Sequence, residues 1–207
     1  MIRLLTYKPS SNDFELVAFH SDPPPYAILS HTWTEGQEVT YDELLAGTEK
    51  DKAGYAKIRF CRERVDSDGY KYFWVDTCCI NKSSRAELQT AIASMFQWYK
   101  RAAKCYVYLP DVSMKKRKRG DENLEWKQAF RKSRWFTRGW TLQELIAPAS
   151  VEFFSSERQR LGYKQSVEQE IHEITGIPVK VLQGDPLGNF SVTKRKTWMV
   201  GRQTAQE

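Results

Sequence analysis

The sequence predicts an α/β fold in which a parallel sheet is covered by helices on both faces. Three observations carry this expectation. Residues 26–30, 70–76, 105–109 and 151–154 form short, nearly continuous apolar runs, as strands buried on both sides do. The segments between them place apolar residues at helical spacing. Strand and helix patterns therefore alternate, the order that builds βαβ units.

The chain opens with a small extended element, residues 2–5 and 14–19, joined by a turn signal at Ser10-Ser11-Asn12-Asp13. Pro23-Pro24-Pro25 stiffens the approach to the first core strand, 26–30. A short helix is expected over 42–46. A longer one is expected over 55–65, with Tyr55, Ile58, Cys61 and Val65 at helical spacing. The second strand, 70–76, ends on an acid. Ser84 and Glu87 then form a capping box for a helix whose apolar stripe is Leu88, Ile92, Met95, Phe96 and Tyr99. The third strand, 105–109, stops at Pro110, and a helix over 122–132 follows. A short helix over 139–147 precedes the fourth strand, 151–154. Residues 1–159 are thus read as the core. Residues 160–207 are read as a helical C-terminal extension of the same domain, with helices at 165–174 and 179–183 and a helix just starting at Thr204–Glu207. The weak stopping signal there leads us to expect that the chain is a piece of a longer protein.

Composition narrows the function classes. The chain has 207 residues, 41% hydrophobic and 13% aromatic, enough to bury one core and too aromatic for a disordered chain. No run approaches the ~20 apolar residues of a bilayer span, and the N-terminal apolar run is too short for a signal peptide. The expected location is the cytoplasm. Five of the six net positive charges lie in Lys115-Lys116-Arg117-Lys118-Arg119. Such a run suits nucleic acid, lipid headgroups or an import receptor, or is simply a solvated loop. It has no interleaved aromatic residue, so nucleic acid is the weaker reading. The four cysteines, Cys61, Cys78, Cys79 and Cys105, lack zinc spacing and lie in apolar segments, so no metal site is expected.

Ligands of open parallel sheets bind at the carboxyl ends of the strands. Here those ends bring forward Ser30, His31 and Trp33 after the first strand and Asp76 after the second. His31 is either a pocket residue or a buried histidine bonded to a loop; Asp76 is either a site residue or the cap of the turn that follows. The segment SRWFTRGWTLQELIAP, residues 133–148, adds Arg138, Trp140 and Glu144. At 100° per residue, Leu142, Leu145 and Ile146 fall on one face, and Trp140 and Glu144 stack on nearly the opposite one. Glu144 is then either solvated, or paired with Arg138 or Arg134, or in a cleft where Trp140 desolvates it and raises its pKa. A thiolate nucleophile at Cys78-Cys79 is disfavoured, because nothing evident lowers its pKa.

The blocks YAILSHTW (26–33), WVDTCCIN (74–81) and RGWTLQELIAP (138–148), in that order, closely resemble the fungal heterokaryon-incompatibility (HET) domain. Residues 54–76, 95–109 and 161–182 share the resemblance. Thr34 stands where the family commonly has Gly, and Asn81-Lys82 where it commonly has Asp-Gln or Asn-Gln. The family pattern continues beyond residue 207 with an acidic pair and another helix. The resemblance implies a TIR-like, flavodoxin-like fold and a role in programmed cell death, a form of fungal innate immunity, when unlike strains fuse. In NAD-cleaving TIR domains the matching glutamate is catalytic, which implies Glu144 as the catalytic residue. Ser30, His31, Trp33, Asp76, Arg138 and Trp140 then become substrate-binding candidates. NAD or a related nucleotide would be the substrate rather than a bound cofactor. Self-association and the other domains of a longer chain are the implied partners. The alternative is a non-catalytic assembly module that recruits a separate death effector.

Overall fold

The computed structural model describes residues 1–10, 13–115 and 122–204, without the side chains of 122–124. Seven strands form one mixed sheet: β1 (Ile2–Lys8), β2 (Asp13–Phe19), β3 (Tyr26–His31), β4 (Tyr72–Trp74), β5 (Lys104–Tyr108), β6 (Val151–Phe154) and β7 (Arg160–Tyr163). Their order is β2-β1-β4-β3-β5-β6-β7. The inner four are parallel, with Ala27 beside Phe73, Ile28 beside Cys105 and Cys105 beside Val151. Every residue of β3 and β6 is buried, which is why these segments read as nearly continuous apolar runs, Glu152 and the Ser30-His31 end apart.

Both edges differ from the expectation of a purely parallel sheet. The N-terminal element is a hairpin that joins the sheet antiparallel through Leu5 and Phe73. Residues 160–163, expected to begin the helical extension, form the antiparallel edge strand β7 instead. The buried carboxylate of Glu152 on β6 is 2.7 Å from Lys104 on one neighbouring strand and 3.1 Å from Arg160 on the other. The shortness and polarity of β7 hide it from a periodicity search.

The helices are α1 (Tyr41–Ala46), α2 (Ala53–Ser67), α3 (Arg85–Arg101), α4 (Glu122–Arg131), α5 (Thr141–Ile146), α6 (Glu168–Thr175), α7 (Val179–Leu182) and α8 (Val192–Thr197). Ser84 caps α3, accepting from the Glu87 amide, but the expected capping box is only half formed, because the Glu87 carboxylate accepts from the Asn81 amide and Arg3 instead. Helix α2 covers one face, with Phe60 against Tyr108 and Phe154. On the other face Phe130 of α4 and Trp135 pack on Phe153, and the Cys105 thiol meets the Glu144 carbonyl of α5.

The order β4-β3-β5-β6 is that of flavodoxin-like doubly wound sheets, whose switch point lies between the first and third strands. Here the chain leaves β3 for β4 on one side, then crosses by α3 to β5 on the other. The switch point therefore lies between β3 and β5, and the cleft opens at the carboxyl ends of β3 and β4, closed on its other side by α3 and residues 138–144. Among the described residues no helix is long and apolar enough to cross a membrane. Residues 116–119 of the basic run, 11–12 of the first turn and 205–207 of the last helix signal lie outside the described residues.

Candidate functional site

At the end of β3, Ser30 is fully buried. Its hydroxyl accepts from the Trp135 indole N–H at 2.7 Å and donates to Glu144 Oε2. Two local devices bring these groups together. Asp111, just past β5, accepts from the Ser133 hydroxyl and the Arg134 amide, both at 2.8 Å, which starts the 3-10 turn Arg134–Thr137. Thr141 then reaches back to the Trp135 and Arg138 carbonyls at 2.6 and 2.8 Å, which fixes the entry of α5.

Helix α5 does not present the face its apolar residues suggest. Thr141, Glu144 and Leu145 are buried, whereas Leu142 and Ile146 are half-buried. Glu144 is only 5% exposed, so the solvated-carboxylate reading fails. A six-residue helix is too short for an apolar stripe to set its rotation; the bonds of Thr141 and Glu144 do so instead. Trp140 is at the N-cap, with helical backbone angles.

Glu144 forms the floor of a cleft of about 260 Å³. His31, Trp33 and Asp76 enter from the strand ends, and Arg138, Trp140 and Thr141 from the segment before α5. The far wall, formed by Ile80 with Leu88, Ile92 and Met95 of α3, is apolar, and Lys82 stands at its end. Every expected site residue lines this cleft except Ser30, which lies beneath and holds Glu144.

Asp76 does not serve mainly as a turn cap. Its Oδ2 accepts from the Trp33 indole at 2.9 Å, while its Oδ1 is buried and finds no hydrogen-bond partner among the described residues. Over the Trp33 ring lie the Lys82 ammonium, 3.5 Å from the centroid, and the Arg138 guanidinium, 6.0 Å away. His31 lies between two carboxylates, its Nε2 3.3 Å from Glu38 and its Nδ1 3.9 Å from Asp76. Buried Lys57 completes this layer, donating to Glu38 and, at 3.0 Å, to the Thr32 carbonyl. Burial alone would raise the Glu38 carboxyl, but His31 and Lys57 outweigh it and hold it at about 2.

Burial drives Glu144 the other way, to about 8, and the Asp76 charge adds to the rise. The Ser30 hydrogen bond, the neighbouring Tyr99 hydroxyl and the Arg138 charge oppose it. The four thiols are buried and free. Burial raises Cys61, Cys78 and Cys105, and neither Cys78 nor Cys79 lines the cleft. Among the described residues no cluster of three or more His, Cys, Asp or Glu could hold a metal ion.

Sequence reasoning missed Trp135, Thr141, Lys82, Glu38 and the α3 wall. Trp135 and Thr141 belong to the same motif as Glu144, and Lys82 follows WVDTCCIN directly, so local signals existed for these three. It also missed Arg202, half-buried in the C-terminal segment, whose guanidinium reaches the Arg138 carbonyl and the Thr141 hydroxyl.

Comparison with known proteins gives the context. Residues 26–127 match the family model described as "Heterokaryon incompatibility protein (HET)". The chain is also 59% identical over 185 residues to "Vegetative incompatibility protein HET-E-1" of Podospora anserina. That alignment covers 89% of this chain and 14% of the relative, so the chain spans a small part of its relative's length. No solved structure matches the chain.

Proposed function

Because the chain belongs to the heterokaryon incompatibility (HET) family, we propose that it is a death-triggering domain that hydrolyses NAD at the nicotinamide–ribose bond when copies cluster. The observation that carries this reading is the buried Glu144 carboxyl lining the strand-end cleft, held by Ser30 beside Asp76.

The cleft is bipolar. It is lined by two carboxyl groups, buried Glu144 and half-buried Asp76, and by two cations, half-buried Arg138 and exposed Lys82. NAD has the complementary polarity: a cationic nicotinamide riboside joined to an anionic pyrophosphate. With the pyridinium inward, its ribose hydroxyls meet Asp76 and its phosphates meet the cations, while Trp33 and Trp140 offer faces for stacking.

In the reaction the C1′–N bond breaks and its electron pair leaves with nicotinamide, which departs neutral. Water adds to C1′ and a proton is released, giving ADP-ribose. Positive charge develops on the ribose in the transition state, and an adjacent carboxylate stabilises it there more than in the ground state. At neutral pH the empty site holds Glu144 mostly protonated. A bound pyridinium favours the ionised form, so the substrate itself recruits the carboxylate.

The test is nicotinamide release by the domain fused to a self-assembling tag. Wild type should turn over NAD, and Glu144→Gln should fall by at least ~100-fold. Equal release by both would end the enzymatic reading. The second reading is assembly without catalysis. It requires that Glu144→Gln still kill cells.

A further inference from the structure

The last described residues close over the segment that presents the site. Gln203 N–H donates to the Thr137 carbonyl at 2.6 Å, and Gly139 N–H donates to the Gln203 carbonyl at 2.9 Å. Arg138 and Gln203 thus pair as a parallel β-bridge. The fit is close enough that a Cβ on Gly139 would lie 2.4 Å from Thr204 Cγ2. Trp198, 2% exposed, anchors this strap from beneath and packs on Phe190.

Arg202 is the polar centre of the strap. Its Nη1 donates to the Arg138 carbonyl at 3.0 Å and to the Thr141 hydroxyl at 2.9 Å, and its Nε to the Trp198 carbonyl at 3.2 Å. The other terminal nitrogen, Nη2, is buried and finds no hydrogen-bond partner among the described residues. Burial lowers the guanidinium to about 10, and the Glu144 carboxyl pulls it back up, so it stays charged at neutral pH. Two routes join Arg202 to Glu144. One runs along the buried face of α5, from Thr141 to Glu144 one turn later. The other runs from Thr141 to the Trp135 carbonyl, and from the Trp135 indole through Ser30 to Glu144.

We propose that Arg202 is a positioning residue: from the C-terminal strap it sets the orientation of α5, and with it the reach of Glu144 and Arg138 into the cleft. A fully charged donor fork bound to one carbonyl and one hydroxyl is a stiffer brace than a neutral contact. Among the described residues the hydrogen bonds of Arg202 and Gln203 outside the strap go to Thr137, Arg138, Gly139 and Thr141, so displacing the strap would free the presenting segment and leave the bonds between β3 and β6 in place. The catalytic consequence rests on the NAD-hydrolase reading; the positioning itself does not.

Two measurements separate these. The Glu144 carboxyl is titrated by carbon NMR in wild type, Arg202→Gln and Arg202→Lys. Asp76, Tyr99, Arg138 and Cys105 also face Glu144 and are unchanged in these variants. Removing the cation should move the Glu144 midpoint up, and lysine should restore most of it. In parallel, amide exchange of residues 137–146 should quicken at least ~10-fold in Arg202→Gln while β3 and β5 keep wild-type protection. If Arg202→Gln does not fold, Arg202→Met takes its place in the titration, and Gly139→Ala, whose methyl would meet the Thr204 side chain and lift the strap, takes its place in the exchange measurement. An unmoved Glu144 midpoint, or exchange unchanged in 137–146, overturns the proposal. Where nicotinamide release is measurable, kcat should fall ~10-fold in Arg202→Gln with KM within about twofold. If the wild type releases no nicotinamide, the hydrolase reading falls, and the titration and exchange still decide the role of Arg202.

Discussion

Ser30 donates its hydroxyl to Glu144, 114 positions later in the chain, and so ties the end of the central strand to the short helix that carries the carboxylate. The same oxygen accepts the Trp135 indole hydrogen, so one buried serine serves both a core tryptophan and the site. Ser30→Ala should leave that indole and Glu144 each short of a bond. We expect a loss of about 1–3 kcal/mol in urea unfolding. Because the Ser30 bond lowers the Glu144 pKa, its removal should also move the midpoint higher still. An unaltered midpoint by NMR would show that the bond carries no charge-stabilising role.

The raised pKa of Glu144 makes it a stability cost at high pH. The folded state holds the proton more tightly than the unfolded chain, whose ordinary value is 4.5. The associated stability is fully present below 4.5 and is lost as pH rises through about 8. Glu144→Gln cannot ionise. Its melting temperature relative to wild type should climb between pH 5 and 9 and level off above, with a free-energy gain on the order of 4 kcal/mol at most. A constant difference across that range would contradict a buried, proton-binding Glu144.

Catalysis should follow the same proton in the opposite sense. If the ionised carboxylate is the working form, kcat/KM for NAD should rise with pH through about 8 in the wild type. Because the bound pyridinium favours ionisation, the kcat profile should turn over at lower pH than kcat/KM. Coincident profiles would argue against a cationic group bound beside Glu144.

The buried layer of Lys57, Glu38 and His31 should be the more acid-resistant part of the site. Glu38 is held at about 2, below its ordinary 4.5, so its contribution is present above 4.5 and lost as pH falls through about 2. Glu38→Gln leaves the 5%-exposed Lys57 ammonium without its carboxylate. We expect a loss of roughly 3–5 kcal/mol at pH 7, measured by denaturant unfolding. A loss below 1 kcal/mol would mean that Lys57 finds another partner.

Lys82 should matter to binding and not to folding, because it is exposed and stacks on Trp33 at the cleft mouth. Lys82→Gln should raise KM for NAD about 5- to 10-fold with kcat and melting temperature unchanged. Nicotinamide riboside, which lacks the pyrophosphate, should show no such rise. Equal effects on the two substrates would place Lys82 away from the phosphates.

Much of the architecture was legible before any coordinates. Strands β3, β5 and β6 announced themselves because residues buried on both faces are mostly apolar, and the N-cap of α3 followed from Ser84. The carboxyl-end rule brought His31, Trp33 and Asp76 forward, and motif resemblance brought Glu144. The rotation of α5 was not legible. Its leucines and isoleucine suggested one face, but in so short a helix a few directed hydrogen bonds from distant residues outweigh the apolar stripe. The same holds for the edge strand β7, which depends on Glu152 and its cations, and for Arg202, which no local pattern marks.

By itself the sequence determined which segments must be buried and which polar residues fall at strand ends, because solvent exclusion acts on composition and period. Only the tertiary structure decided that Glu144 faces inward onto Ser30, that Asp76 keeps one oxygen unpartnered, and that Arg202 closes over the segment between them. Those outcomes depend on directional bonds between groups as far apart as Ser30 and Glu144, and no periodicity along the chain encodes such pairs.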